Sequence, residues 1–291
     1  MKTIAVMSGK GGTGKTMVAA GFAVFSDERL ILADCDVDAA NLSLLLETSG
    51  TACRPFMGLE CASIDETRCV GCGLCAVYCR FSAIDQGDDG IFRVNPLKCE
   101  GCAVCTLVCK EDAVTIAERQ SGEVCHSDTP QGPLFHAELF PGSGTSGRLV
   151  FEVKKDALNK EADAPAFLID GPPGIGCPVI SAISGVDAVV LVTEPGISAL
   201  HDLRRLVTIC RQFGVSMFLV LNKADLDEER AEDVRRYCAQ EAIEIIGTIP
   251  FDPAVIEAAR RGESVADTDT PAAISLKNAW KTLSLAMGIS P

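Results

Sequence analysis

Eight cysteines lie in two closely spaced runs, and their thiols have the chemistry of iron ligands. Each run has the spacing C-x2-C-x2-C-x3-C, and the second repeats the first thirty residues later. Tight loops with this spacing place three thiolates around one face of a [4Fe-4S] cluster, whereas the fourth thiolate ligates the neighbouring cluster. The sequence therefore predicts two clusters, one bound by Cys69, Cys72, Cys75 and Cys109 and the other by Cys99, Cys102, Cys105 and Cys79.

Paired zinc sites or disulfide bonds are the alternatives for these cysteines. Zinc sites use two separated cysteine pairs rather than two runs of four, so the spacing favours clusters. A short apolar stretch follows each run, at 83–84 and at 113–116, and is predicted to be a strand that closes over the cluster. Because little other apolar core is available, the clusters are expected to hold this segment together.

A glycine-rich loop near the amino terminus follows the apolar run 4–7 and precedes a stretch with helical apolar spacing. It satisfies G-x-x-x-x-G-K-[ST] in the strand, loop and helix context of a phosphate site. Backbone N–H groups and the helix N-terminus would face the phosphates, Lys15 would reach the β- and γ-phosphates, and Thr16 would ligate Mg²⁺. The predicted loop residues are Gly9, Lys10, Gly11, Gly12, Thr13, Gly14, Lys15 and Thr16.

Carboxylates follow two further predicted strands. Asp34, Asp36 and Asp38 come after the apolar run 30–32, and Asp170 follows 166–169 and precedes a Gly-Pro-Pro-Gly turn. The carboxyl ends of strands in an open α/β sheet meet at the phosphate loop. Asp170 is therefore predicted to hold Mg²⁺ through water, and the amide of Gly174 to meet the γ-phosphate. An acidic loop or a helix cap is the alternative for Asp36.

The sequence GKGGTGKT resembles the deviant Walker A subgroup of P-loop ATPases, which includes the Min, Par, Mrp and nitrogenase-iron-protein families. In those families, a lysine at the position of Lys10 reaches across a nucleotide-sandwiched dimer to the partner's phosphates. The resemblance therefore implies ATP-dependent homodimerisation. It also implies that Lys10, Lys15 and Asp36 are catalytic, with Asp36 orienting the attacking water.

Two later segments resemble the base-contacting loops of the same families. Asn222 and Lys223 begin an N-K-x-D sequence after an apolar run, and Pro250 and Asp252 belong to a segment like the loop that covers adenine in the Min and Mrp families. Many GTPases use N-K-x-D to bind guanine, because a carboxylate accepts from its N1 and N2 donors. ATP is favoured because of Lys10 and the second loop, and GTP remains the alternative.

Residues 65–118 resemble a bacterial two-cluster ferredoxin, a low-potential electron carrier with an internal pseudo-twofold repeat. That family usually has proline after the fourth cysteine of each run, where this chain has Arg80 and Lys110. A nearby cation favours the reduced, more negative cluster. The departure therefore bears on loop geometry and potential and leaves the predicted ligands unchanged.

The remaining pattern predicts a doubly wound, mostly parallel α/β sheet. The runs 188–192 and 217–221 read as buried strands, alternating with helices near 198–213 and 227–240, and residues 272–287 are expected to dock on the sheet. The predicted domains are a P-loop ATPase at 1–62 and 119–291, interrupted by a small α+β ferredoxin-like insertion at 63–118. Residues 122–147, rich in Gly, Ser, Pro and Thr, are predicted to be loop.

Several other thiols and imidazoles carry weaker signals. Cys125, His126 and His136 lie in the predicted loop, where a metal or docking role competes with a solvated or structural one. Cys177 precedes a proline at a predicted helix start, and an interfacial metal role competes there with simple packing. Five further cysteines are expected to be packed thiols, namely Cys35, Cys53, Cys61, Cys210 and Cys238.

Composition limits the partners. The net charge of −14 argues against broad binding to nucleic acid or anionic membrane, because phosphates would be repelled. The amino terminus lacks a signal-peptide pattern, so a cytoplasmic protein is expected.

Two function classes are consistent with these patterns. One is an ATPase that couples nucleotide-driven closure to electron transfer or metal-cluster handling for a redox or metallocofactor-binding partner. The other is a MinD- or ParA-like positioning switch with structural or sensory clusters.

Overall fold

The computed structural model describes residues 1–160 and 164–290, which form two compact units. Unit 1 comprises Met1–Cys53, Val124–Glu138 and Gly147–Pro291, and unit 2 comprises Arg54–Glu123 and Leu139–Ser146. The predicted insertion at 63–118 therefore lies within the sequence limits of unit 2. No helix in the described ranges has the length and apolar character needed to cross a bilayer.

The strands and helices alternate along much of the chain. The strands are β1 (Lys2–Ser8), β2 (Ile31–Asp34), β3 (Ser49–Ile64), β4 (Ile84–Gln86), β5 (Phe92–Val94), β6 (Val114–Thr129), β7 (Gly132–Leu139), β8 (Ala166–Pro173), β9 (Ala188–Thr193), β10 (Ser216–Leu221) and β11 (Glu244–Thr248). The helices are α1 (Lys15–Phe25), α2 (Leu74–Val77), α3 (Val104–Val108), α4 (Ser146–Lys160), α5 (Cys177–Ile183), α6 (Ile197–Phe213), α7 (Glu228–Gln240), α8 (Pro253–Arg260) and α9 (Pro271–Met287).

One sheet has the strand order β11-β10-β9-β1-β8-β2-β7-β6-β3. In it β1 runs parallel to β8 and β9, β2 runs parallel to β8 and β7, and β10 runs parallel to β9 and β11. The predicted mostly parallel α/β sheet is confirmed. Its consequence for the site is that β1, β2, β8, β9 and β10 all end at the same edge.

The carboxyl-terminal helix docks on this fold, as predicted. α9 packs against β11 and α1. The buried rings of Phe22 and Trp280 lie 5.4 Å apart between α1 and α9. This packing fixes α1, the helix that begins at the phosphate loop.

The prediction of loop at 122–147 is wrong. β6 continues to Thr129, and β7 covers Gly132–Leu139 and pairs with β2. The glycine and proline content suggested a loop, but Leu134, Phe135 and Ala137 are buried and supply the apolar side of a strand. Composition was a poorer guide here than the positions of the apolar residues.

Cys53 and Cys125 form a disulfide bond within unit 1. The expectation that Cys53 is a packed thiol is therefore wrong, because its sulfur is bonded to that of Cys125. Cys53 lies in β3 and Cys125 in β6, which are neighbours in the sheet. Residues on strands distant in sequence become bonding partners only through sheet order, which the spacing of cysteines did not indicate.

Unit 2 repeats its backbone conformation with the period of its cysteines. Left-handed φ angles occur at Gly71 and Gly101, at Gly73 and Ala103, and at Ser82 and Asp112, each pair thirty residues apart. α2 packs against α3, and β4 pairs with β5 in an antiparallel arrangement. A small hydrophobic cluster centres on Cys75, Ile84 and Phe92.

A substitution at Gly132 tests the position of β7. Its φ is +137°, and an added Cβ would lie 1.8 Å from the carbonyl oxygen of Leu30. We expect Gly132→Ala to lower the free energy of unfolding by about 3 kcal/mol or more, because a backbone atom cannot move aside cheaply. Gly185→Ala is the matched control, since φ is +75° there with nothing within 4 Å, and about 1 kcal/mol is expected. Urea unfolding measures both, and equal losses would contradict the close approach of β7 to Leu30.

Candidate functional site

The predicted phosphate loop connects the end of β1 to the start of α1. Gly12 and Gly14 have φ of +80° and +93°, in the left-handed region that side chains disfavour. Asn222 Nδ2 donates to the Thr13 carbonyl oxygen at 2.7 Å, and a Cβ at Gly14 would lie 2.3 Å from that nitrogen. Gly14 is therefore required both for its backbone conformation and for the close approach of Asn222.

The Lys15 side chain points among carboxylates from two neighbouring strands. Its Nζ lies 3.1 Å from Asp170 Oδ1 and 3.2 Å from Asp36 Oδ2, and the side chain is 6% exposed. Burial opposes the charged form of Lys15, but the charges of Asp170 and Asp36 outweigh it and raise its pKa. Burial also raises the pKa of Asp36, against the opposing effect of Lys15.

Asp34 supports the loop that carries Asp36. Its Oδ1 accepts from the Asp36 N–H at 3.0 Å, and its Oδ2 accepts from the N–H groups of Asn41 and Leu42 at 2.8 and 2.9 Å. Asp34 is opposite Asp170 in the register of β2 and β8. Burial, with the Asp170 charge as the next cause, raises the pKa of Asp34 to about 7. One lysine thus lies among three carboxyl groups.

A cleft opens beside these groups, with an empty volume of about 1100 Å³ that includes open solvent. Gly11, Thr16 and Asp36 are among its lining residues, together with the prolines after Asp170. Within the described chain, Thr13 Oγ1 and Asp170 Oδ2 are buried and have no hydrogen-bond partner. Buried polar atoms are seldom left unpaired, so these two atoms suit a polar ligand.

Lys10 forms an ion pair that the sequence did not predict. Lys10 Nζ lies 2.6 Å from Glu194 Oε1, while Lys223 Nζ lies 2.8 Å from Glu194 Oε2. Lys223 also donates to the Gly12 carbonyl oxygen at 3.0 Å. Glu194 follows β9 directly, and the only available signal was its place after a predicted strand.

Other predicted residues are engaged by the protein itself. The N–H of Gly174 donates to the Ser8 carbonyl oxygen at 2.9 Å. Asp252 caps α8 through the N–H of Ala254, and Pro250 lies in the loop just before it. Asn222 and Lys223 contact the phosphate loop, as described above. The structure thus brings Asn222 and Lys223 to the loop, and gives Asp252 a structural contact.

Unit 2 contains two cavities, each lined by four of the eight cysteines. Each has an empty volume of about 350 Å³, open solvent included. Each cavity combines the first three cysteines of one run with the fourth of the other, and this is the combination given by the spacing. One is lined by Cys69, Cys72, Cys75 and Cys109, and the other by Cys79, Cys99, Cys102 and Cys105.

Backbone N–H groups point at the last cysteine of each run. Ala83 N–H donates to Cys79 Sγ at 3.4 Å, and Ala113 N–H donates to Cys109 Sγ at 3.3 Å. The two bonds are related by the thirty-residue repeat. Such bonds stabilise negative charge on sulfur, so the loops are suited to thiolates.

The histidines of β6 and β7 make separate local contacts. His136 Nε2 lies 3.1 Å from Ser127 Oγ, which in turn lies 2.8 Å from Thr51 Oγ1. Burial, then the neighbouring His126, lowers the pKa of His136. The His126 ring packs on Phe135. Cys177 is an exposed free thiol at the first residue of α5.

Comparisons with known proteins identify a family profile and several relatives that match this chain. The profile of the CobQ/CobB/MinD/ParA nucleotide binding domain matches residues 4–265. An uncharacterized protein of Methanocaldococcus jannaschii, MJ0578, is 33% identical over 282 residues, or 96% of this chain and 95% of that protein. The cytosolic Fe-S cluster assembly factor NBP35 of Eremothecium gossypii is 26% identical over 159 residues, or 48% of this chain and 47% of that protein.

Among solved structures, the septum site-determining protein MinD of Pyrococcus horikoshii, complexed with Mg-ADP, has a TM-score of 0.60 and 20% identity. The match covers 100% of this chain and 98% of that one. At this identity the likeness shows the fold.

The raised pKa of Asp34 predicts a pH dependence of stability. In the unfolded chain this carboxyl ionises near about 3.9, whereas the folded site keeps the proton to about 7. The folded chain binds the extra proton between these values, so the contribution of Asp34 to stability declines as pH rises through this window and is constant above it. We expect Asp34→Asn to show a shallower decline between pH 5 and 7.5, measured by urea unfolding without nucleotide. Asp227→Asn, at an exposed helix cap, is the control, and equal slopes for wild type and Asp34→Asn would contradict this.

Proposed function

Because the chain belongs to the CobQ/CobB/MinD/ParA nucleotide-binding family, we propose that it is a Mg²⁺-dependent ATPase that carries two [4Fe-4S] clusters. Nucleotide-dependent closure of a homodimer would drive electron transfer, or the handling of a metal cofactor, for a partner protein. The observation that carries the redox part is the sorting of eight cysteines into two four-thiol cavities. The ferredoxin-like insertion is assigned to 63–118, within an ATPase formed by 1–62 and 119–291.

The spacing of the thiols supports clusters over single metal ions. Four ligands at about 2.3 Å from a tetrahedral zinc lie about 3.8 Å from one another. In the described chain, no three of the eight sulfurs lie within 4.8 Å of one another. Each cluster, when bound, would supply a one-electron redox centre.

The residues around the clusters favour the reduced state. The N–H donors at Ala83 and Ala113 point at ligand sulfurs, and the cations Arg80 and Lys110 directly follow Cys79 and Cys109. Both features stabilise added negative charge. We therefore expect both potentials to be higher than those of the same cavities without these groups.

The nucleotide site has residues suited to each part of Mg-ATP. The loop amides and Lys15 would bind the phosphates, and Thr16 and Asp170 would hold Mg²⁺, which when bound neutralises phosphate charge. The unpaired Asp170 Oδ2 and Thr13 Oγ1 support a ligand here. Asp36 lines the same cleft and would orient the attacking water. The Gly174 N–H, now bonded to Ser8, would move to the γ-phosphate and so report its presence.

A positioning or partitioning switch is the alternative, since it would use the same nucleotide site. The two four-cysteine cavities favour the redox proposal, because a switch of that kind has no evident need for two redox centres. An EPR-monitored redox titration with and without ATP distinguishes the two. If ATP changes neither the cluster potentials nor their reoxidation by an acceptor, the switch is favoured.

Iron content tests the clusters. Protein purified without oxygen is expected to contain about eight irons per chain, four for each set of cysteines. Cys72→Ser removes one ligand of one set and should lose roughly half of the iron. Cys177→Ser is the control, because it removes an exposed thiol of unit 1 and should keep the full content. Iron and zinc assays with EPR of the reduced protein measure this, and zinc in place of iron would overturn the cluster assignment.

A substitution at Asp36 tests the role proposed for this residue in ATP hydrolysis. In Asp36→Asn the carboxylate that would orient the attacking water is lost, while the phosphate loop and Lys15 remain. We expect kcat for ATP hydrolysis to fall roughly 100-fold or more with nucleotide binding retained. Asp38→Asn changes a neighbouring carboxylate of the same cleft and should have a much smaller effect. Phosphate release and equilibrium nucleotide binding are measured separately, and an unchanged kcat in Asp36→Asn would refute the role of Asp36.

A further inference from the structure

We propose that Glu194 is a positioning residue that holds Lys10 within its own chain and thereby controls when Lys10 reaches phosphates bound between two chains. The inference rests on the proposed ATP-dependent pairing of two chains. It adds to that function a residue that sets the threshold for pairing.

The sheet places Glu194 at the phosphate loop. Thr193 is the last residue of β9, which lies between β1 and β10 and runs parallel to both. Glu194 therefore leaves the same sheet edge as the loop on one side and Asn222-Lys223 on the other. Each carboxylate oxygen of Glu194 pairs with a different lysine. Oε1 lies 2.6 Å from Lys10 Nζ, and Oε2 lies 2.8 Å from Lys223 Nζ.

Lys223 is held by more contacts than its ion pair with Glu194. It also donates to the Gly12 carbonyl oxygen at 3.0 Å. Its φ is +54°, a left-handed conformation that is disfavoured for lysine and persists where surrounding contacts enforce it. Lys223 thus ties Glu194 to the phosphate loop whether or not Lys10 is bound.

Lys10 can therefore dissociate from Glu194 without leaving the Glu194 carboxylate unpaired. Removing the sole partner of a partly buried carboxylate is costly, but Glu194 keeps Lys223 when Lys10 departs. Glu194 is 19% exposed and Lys10 is 34% exposed, so solvent screens their attraction. The two lysines also outweigh the effect of burial and lower the pKa of Glu194, which keeps it charged.

A triphosphate is a stronger competitor for Lys10 than a single carboxylate. It offers several charged acceptor oxygens, and its attraction for a lysine is correspondingly greater. In a chain without a paired partner, Glu194 supplies the local acceptor. The pair therefore opposes association of two chains until nucleotide phosphates are in place.

The test compares wild type with Glu194→Gln by sedimentation velocity in Mg²⁺ and a non-hydrolysable ATP analogue, without oxygen. Glutamine preserves size and an acceptor atom but removes the charge. We expect the protein concentration for half-association to fall roughly two- to thirtyfold, because each of the two chains releases one partly exposed ion pair. The affinity of a single chain for the analogue should change little, because Lys223 keeps its bond to Gly12. Glu241→Gln is the matched control, since Glu241 pairs with Arg211 in the same unit, and it should behave as wild type.

Lys10→Ala separates control through Lys10 from a structural effect. Adding Glu194→Gln to Lys10→Ala should change association no further. The proposal is overturned if Glu194→Gln associates no more tightly than wild type, or if its effect persists without Lys10. If wild type does not associate with the analogue at all, both the pairing in the proposed function and this inference fail. Tighter association that depends on Lys10 supports the inference.

Discussion

The Lys15 ammonium lies among carboxyl groups at the ends of neighbouring strands, and the order of the sheet is what brings them there. β8 lies between β1 and β2, so the helix after β1 supplies Lys15 while β8 and β2 supply Asp170 and Asp34. One cation cannot neutralise three carboxyl groups. Burial, together with the charge of Asp170, raises the pKa of Asp34 to about 7. A site with surplus negative charge, an unpaired oxygen on Asp170 and backbone amides in the loop is suited to a divalent cation bound together with phosphate.

Unit 2 is organised by a different constraint. Its helices α2 and α3 span four and five residues, too short to be stable without tertiary contacts. Its backbone uses left-handed conformations at Ser82, Ala103 and Asp112, which L-residues disfavour. Such a segment needs cross-links, and two bound clusters with four thiolates each would provide them. The proposed clusters would therefore also stabilise the fold of the unit.

Where local pattern and chemistry coincide, the residues that the sequence singled out lie together in the structure. The phosphate loop and Lys15 follow from glycine spacing within a strand-loop-helix pattern, and the two cysteine sets follow from a repeat of fixed period. The β6–β7 hairpin was missed because its glycine and proline content outweighed the apolar residues of β7. The Cys53–Cys125 bond and the Lys10–Glu194 pair were missed for a common reason, since each joins residues that only sheet order makes neighbours.

Sheet order also separates the charges around the phosphate loop. On the side of β8 and β2, carboxyl groups surround Lys15. On the side of β9 and β10, Lys10 and Lys223 surround Glu194. A ligand that carries a cation next to a chain of anionic groups matches this division, with the cation toward Asp170 and the anions toward the lysines. Each side also contains one ion of the opposite sign, so the binding of such a ligand would exchange existing ion-pair partners.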